Sequence, residues 1–168
     1  MSIFKKMTLE HAFELLLNRK IIAKEFKQAN KIINKLKNND WRFWFGKFLI
    51  FVRSDAKSNR FTDAYSCLAE TESLLKEIGS DEDNERFLLL INNESLFLVF
   101  KFYYGATGLA SLALLLARFY QNGWGVKKDI QRAREFAEKA ITMPKNEPIY
   151  KNATEVLNSI LLEISNSK

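Results

Sequence analysis

"YQNGWGVKKD", residues 120–129, sets two glycines one residue apart with a tryptophan between them, in a chain that has only six glycines. The residues before it, Leu109 to Tyr120, are almost wholly apolar, and those after it carry apolar residues at helical spacing. A chain that leaves one helix and enters another in so few residues has to reverse sharply. Glycine adopts positive φ without the steric cost other residues bear, so Gly123 is predicted to end the first helix in the left-handed conformation and Gly125 to make a second tight bend. Val126 is then expected to tuck inward, and the Asp129 side chain to cap the returning helix. The stretch reads as the turn of a helical hairpin.

Helical periodicity continues on both sides. Ile130, Ala133, Ala137, Ala140 and Ile141 form an apolar stripe, with Glu135 and Lys139 spaced as a favourable ion pair. Tyr150, Ala153, Val156, Leu157, Ile160, Leu161 and Ile164 repeat the pattern, and the other side of that segment, Lys151, Thr154, Glu155, Ser159 and Glu163, is polar. Upstream, Ile22, Phe26, Ala29, Ile33 and Leu36 share one helical face, while Lys20, Lys24, Lys27, Lys31 and Lys35 occupy the opposite side. No run alternates with a period of two, so no sheet is predicted.

Three segments align without gaps: "KEFKQANKIINKL" (24–36), "NRFTDAYSCLAET" (59–71) and "KDIQRAREFAEKA" (128–140). In each, a bulky apolar residue (Phe26, Phe61, Ile130) stands three positions before an alanine (Ala29, Ala64, Ala133). Ala29 and Ala64 are 35 residues apart and Ala64 and Ala133 are 69 apart, close to twice that period, which puts a fourth copy of the slot at Val99. A small residue there lets two helices approach closely, and the period is the length of one helical hairpin. The fold class that follows is all-α, a right-handed α–α solenoid of about four helical hairpins: 8–18 with 21–38, 40–55 with 59–78, 82–92 with 94–104, and 107–121 with 129–142. A helix over 147–165 caps the stack with its polar side. The chain, residues 1–168, is read as one such domain.

"LARFYQNGWGVKKDIQRAREFAEKA", Leu116 to Ala140, resembles the Sel-one-like repeat, a relative of the tetratricopeptide repeat, whose signature is L-G-x-x-Y-x-x-G-x-G-V-x-x-D-x-x-K-A-x-x-W-x-x-K-A. Leu116, Tyr120, Gly123, Gly125, Val126, Asp129, Ala133, Lys139 and Ala140 match it. Ala117, Arg132 and Phe136 stand where the family has glycine, lysine and tryptophan. The resemblance covers one repeat, residues 106–142; upstream hairpins share only the alanine slot and the period. It implies a scaffold that holds peptides or proteins on a helical surface.

Composition bounds the function classes. The chain has 168 residues, 47% hydrophobic and 27% charged, an ordinary globular balance. Cys67 is the only cysteine, which rules out an intrachain disulfide and a multi-cysteine zinc site, and a reducing compartment, the cytoplasm, is the expected location. The N-terminal stretch is interrupted by Glu10, His11 and Glu14 and does not read as a secretory signal. Leu96 to Ala117 carries a single charge, Lys101, but the break at Gly105 to Gly108 points to two buried helices and no membrane span.

No enzyme is expected. His11 is the only histidine, neither it nor Cys67 lies in a recognisable catalytic context, and Cys67 follows an alanine slot at a core position. "SDEDNER" (80–86) lacks the glycine and spaced ligands of a calcium loop and reads as a helix start, its acids favoured by the dipole. No phosphate loop occurs, so neither cofactor nor metal is expected.

The charge is unevenly spread. Residues 1–60 carry 14 Lys+Arg against 5 Asp+Glu, residues 61–100 carry 2 against 9, and residues 101–168 carry 10 against 6. The basic end supplies the candidate partner-binding residues: Lys20, Lys27 and Lys31 on one helix and Arg42 at the start of the next, with Trp124 in the glycine turn as a second contact. An acidic protein is the partner this charge implies. Nucleic acid is the less favoured reading, since Trp41 and Trp44 sit in "WRFWFGKFLIFV", most of whose aromatics must be core. Size and context also fit a dedicated inhibitor, such as an immunity protein that neutralises a secreted toxin.

Overall fold

The structure, a computed structural model, describes residues 7–18, 22–53, 61–142 and 148–167. Among the described residues every regular element is a helix: α1 (Leu9–Leu17), α2 (Ala23–Asn34), α3 (Trp41–Arg53), α4 (Phe61–Ile78), α5 (Asp81–Ile91), α6 (Glu94–Thr107), α7 (Ala110–Asn122), α8 (Ile130–Ile141) and α9 (Pro148–Asn166). The hairpin bounds expected at 21, 55, 59 and 147 fall outside the described residues. No described helix is long and apolar enough to cross a membrane. Contacts divide the chain into two compact units, the first ending at Leu90 and the second beginning at Ile91.

In the first unit, α1 packs on α2 and α3 on α4, and α2 and α1 both meet α3. Phe45 of α3 is the hub of the core. It is fully buried and meets Phe13 at 5.8 Å, Phe48 at 5.8 Å and Phe87 edge-on at 5.5 Å, while Trp41 closes on both Phe45 and Phe87. Edge-to-face contacts of this kind add roughly 0.5–1.5 kcal/mol each beyond the area they bury. Helix ends follow local chemistry. Thr8 accepts from the His11 amide at 3.1 Å to start α1, and Ser80 and Asp83 exchange side-chain and backbone hydrogen bonds to start α5, the acid-rich helix start expected from "SDEDNER".

Ala29 and Ala64 are fully buried as the alanine slot requires, but Ile22 stands before α2 in extended backbone and is 61% exposed. Gly46 of α3 also makes a close approach that the sequence did not announce: a Cβ there would run into Ile33 of α2.

In the second unit, α6 packs on α7, α7 on α8, and α9 on both α7 and α8. α7 is buried over most of its length, from Ala110 to Ala117 and again at Phe119 and Tyr120. Ala133, Ala137 and Ala140 of α8 are fully buried, so the α8 stripe holds. Val99 is only half-buried, whereas Leu96, Phe97 and Phe100 carry the buried face of α6. Because α6 is apolar around most of its girth, the period alone did not fix which face turns inward. On α9 the polar side is partly engaged: Gln121 donates to Ser159 at 3.1 Å and Lys128 to Glu163 at 2.5 Å, while Leu162 is 62% exposed.

Candidate partner-binding surface

The glycine turn has the predicted geometry. Gly123 ends α7 at φ 70° and Gly125 follows at φ 66°, both left-handed. Asp129 accepts from the Arg132 amide at 3.0 Å to cap α8, and Val126 is half-buried. Gly125 has a second reason to be glycine, because a Cβ there would collide with the backbone of Asn93 and Glu94, and its N–H donates to the Asn92 side chain at 2.7 Å. Asn93 in turn caps α6 by accepting from the Leu96 amide at 2.9 Å. The turn is thus tied to the start of α6.

Trp124, the candidate contact in the glycine turn, is buried, at 6% exposure. Its ring meets Phe119 edge-on at 5.3 Å and lies under the Arg118 guanidinium. An apolar ring of that size between two left-handed glycines turns back onto the helix it has just left. Beside it, Tyr120 stacks on Phe136 at 5.7 Å with an interplanar angle of 8°, and Lys139 sits over Phe136 at 5.0 Å. The Lys139 ammonium therefore faces rings, and the expected pairing with Glu135 gives way to one between Arg134 and Glu138 at 2.9 Å.

The lysine face of α2 is present on one side of the helix. Ala29 and Ile33 are buried, and Lys24, Lys27, Lys31 and Lys35 are exposed. Lys20 lies outside the described residues. Among the described residues, none of these four lysines is held in an ion pair. Their spacing of three, four and four residues stacks like charges along the helix, an arrangement that weakens an isolated helix by roughly 0.2–0.5 kcal/mol per pair.

Arg42 belongs to a different environment. Its Nε donates to both Asp40 carboxylate oxygens, at 3.0 and 3.2 Å, and its Nη2 donates to Oδ2 at 2.7 Å. Asp40 also accepts from the Arg42 amide at 3.0 Å, so one carboxylate both opens α3 and grips the guanidinium. Burial raises the Asp40 carboxyl, but the hydrogen bonds and charge of Arg42 outweigh it and leave Asp40 below the ordinary range. The same fork raises Arg42 above its usual value against the opposing effect of burial. Asp83 is also held low, first by the Ser80 backbone N–H, with the Trp41 side chain and the Arg42 charge acting in the same direction. The Arg42 charge is therefore largely met within the chain.

Arg42 stands between two clefts of the first unit. One, of about 370 Å³, is walled by Asn39, Asp40, Trp41, Leu74, Ile78 and Asp83. The other, of about 220 Å³, lies between α1 and α5 and brings together Leu9, Phe13, Leu89 and Leu90, with Glu10 and Glu14 on the α1 wall and Arg86 on the α5 wall. No local pattern announces this second cleft, since its α1 and α5 walls lie more than seventy positions apart in the chain.

The groups with reactive chemistry are dispersed. Cys67 is buried, and that burial pushes its thiol up to about 11, leaving little thiolate at neutral pH. His11 is exposed on α1, 3.6 Å from Glu14. Among the described residues, no group of three or more His, Cys, Asp or Glu could hold a metal ion. No protein-family model, no curated protein and no solved structure matches the chain.

Proposed function

We propose that the protein is a non-catalytic interaction module: a right-handed stack of helical hairpins of the Sel-one-like, tetratricopeptide-related kind that binds another protein, in the cytoplasm, through its helical surface. The observation that carries this reading is the α2 face, where four exposed lysines stand in register and, among the described residues, no carboxylate is paired to them. A protein gains nothing in fold stability from such a row, whereas an acidic partner would gain both attraction and faster encounter from it. The repeat architecture in the proposal rests on the two left-handed glycines, the Asp129 cap and the buried Ala29, Ala64 and Ala133.

The test is affinity purification of the full chain from its native source, alongside a Lys27→Glu/Lys31→Glu variant, with identification of what co-purifies. Retention of protein partners by the natural chain and their loss from the variant is the expected result. A single stoichiometric partner, toxic when expressed alone, would replace the scaffold by a dedicated inhibitor, and recovery of nucleic acid in place of protein would overturn the reading.

A further inference from the structure

The cleft between α1 and α5 sets apolar side chains beside charges of both signs. Phe13, 4% exposed, belongs to the core, and Leu89 stands 80% exposed at the cleft's edge, with Leu88 beside it in sequence 50% exposed. Residues 9 and 13 and residues 10 and 14 are each one helical turn apart, so α1 contributes two rungs, each an apolar residue next to a glutamate. On α5, Arg86, Leu89 and Leu90 share a face by the same spacing. The cleft is therefore apolar inside, acidic along one wall and basic on the other.

The charges on the walls differ in how far they are met within the chain. Arg42 is gripped by Asp40, as described above. Glu14 has the exposed His11 as its neighbour, and among the described residues neither Glu10 nor Arg86 is held in an ion pair. A volume of about 220 Å³ suits one bulky apolar side chain; a cavity of about 150 Å³ already holds a benzene ring. An exposed apolar patch rimmed by charges of both signs is the arrangement at which single buried anchors dominate binding between proteins.

We infer that this cleft receives a segment of a partner protein that presents one bulky apolar side chain between a basic residue and an acidic residue. The apolar anchor enters between Phe13 and Leu90 with Leu89 folding over it. The basic residue meets Glu10 and Glu14, and the acidic residue meets Arg86. This inference rests on the partner-binding reading above and adds to it a second contact with the opposite demand on the partner's charge.

The test uses the full isotope-labelled chain and three short alanine-based helical peptides, followed by amide chemical shifts. The first carries Lys, Phe and Glu at successive steps of four; the second has Ala for Phe; the third carries Lys on both sides of Phe. The first peptide should shift amides of α1 and α5, and replacing its Phe by Ala should weaken binding about tenfold or more, as expected for an anchor residue. Leu89→Ala, at an exposed position that leaves the fold intact, should weaken it about threefold to tenfold. Arg86→Glu should reverse the order of preference between the first and third peptides. Shifts confined to other helices, equal binding of the Phe and Ala peptides, or no binding would overturn the cleft assignment while leaving the lysine test to decide the partner-binding reading. Self-association abolished by Leu89→Ala would overturn the choice of a different protein as occupant.

Discussion

Gly125 passes so close to Asn93 that no side chain fits between their backbones, and its N–H is held by the neighbouring Asn92. Gly123, two residues earlier, has the same left-handed φ, but the nearest atom a Cβ there would meet is on the Lys128 side chain, at 3.3 Å. The two glycines should therefore respond unequally to alanine. Gly123→Ala carries the left-handed penalty, about 1–2 kcal/mol, with only a small shift of Lys128 beside it, and Gly123→Asn should cost less because asparagine tolerates that conformation. Gly125→Ala adds a backbone overlap, worth about 1–3 kcal/mol more. Urea unfolding of the three variants measures this order, and equal losses at both positions would show that the Asn93 contact is absent.

Gly46 and Ile33 supply a second test, on the packing of α2 against α3. In an exposed helix, Gly→Ala stabilises by about 1 kcal/mol. Here the new methyl would overlap the side chain of fully buried Ile33, so Gly46→Ala should instead destabilise by about 1–3 kcal/mol. Gly46→Ala combined with Ile33→Ala should lose less than the sum of the two single changes, since alanine at 33 lacks all three side-chain atoms that the new methyl would overlap. Additive losses in a double-mutant cycle would mean that the two residues do not meet.

These two glycine sites also mark what local sequence can and cannot reveal. The 123–129 turn was legible because positive φ and an N-cap each demand particular residues at particular steps, whatever lies nearby. Gly46, inside a helix, has no such local reason; its requirement comes from Ile33 on another helix. The burial of Trp124 is likewise not a local property. Its neighbours in sequence make a loop, but its environment is the Phe119 ring. The lysine face was legible because Ala29 and Ile33 fix the buried side of α2. Arg42 looked equivalent to those lysines, and only the fork to Asp40 separates it from them. The α1–α5 cleft depends on which helices meet, which periodicity does not encode.

The Asp40–Arg42 fork should be visible in the pH dependence of stability. Asp40 is held below its ordinary value in the folded chain, so its contribution is fully present above the unfolded carboxyl value, about 3.9, and is lost as pH falls through the lower folded value. Asp40→Asn should be less stable than the natural chain at neutral pH, and the gap between them should narrow below about pH 4, where the natural carboxylate also becomes neutral. Urea midpoints for both chains across the acid range measure the gap. A constant difference would mean that Asp40 acts only as a neutral cap on α3.

Lys27 and Lys31 give the test that separates a functional face from a passive one. They stand four residues apart and Lys35 follows at the same interval, so these three lysines make two repulsive steps of four residues, beyond the Lys24–Lys27 step of three. Lys27→Glu turns the first step into Glu followed by Lys, the favourable order, and should leave the fold at least as stable, with a gain of about 0.5 kcal/mol at low salt that fades as salt is added. If α2 recruits an acidic partner, the same change should slow association with the partner recovered by co-purification and flatten its salt dependence, while the rate of dissociation changes little. Stability and association would then move in opposite directions from a single substitution, a result that misfolding cannot mimic. Unchanged association, with the stability gain observed, would make the lysines a solvated face and leave the α1–α5 cleft as the contact to pursue.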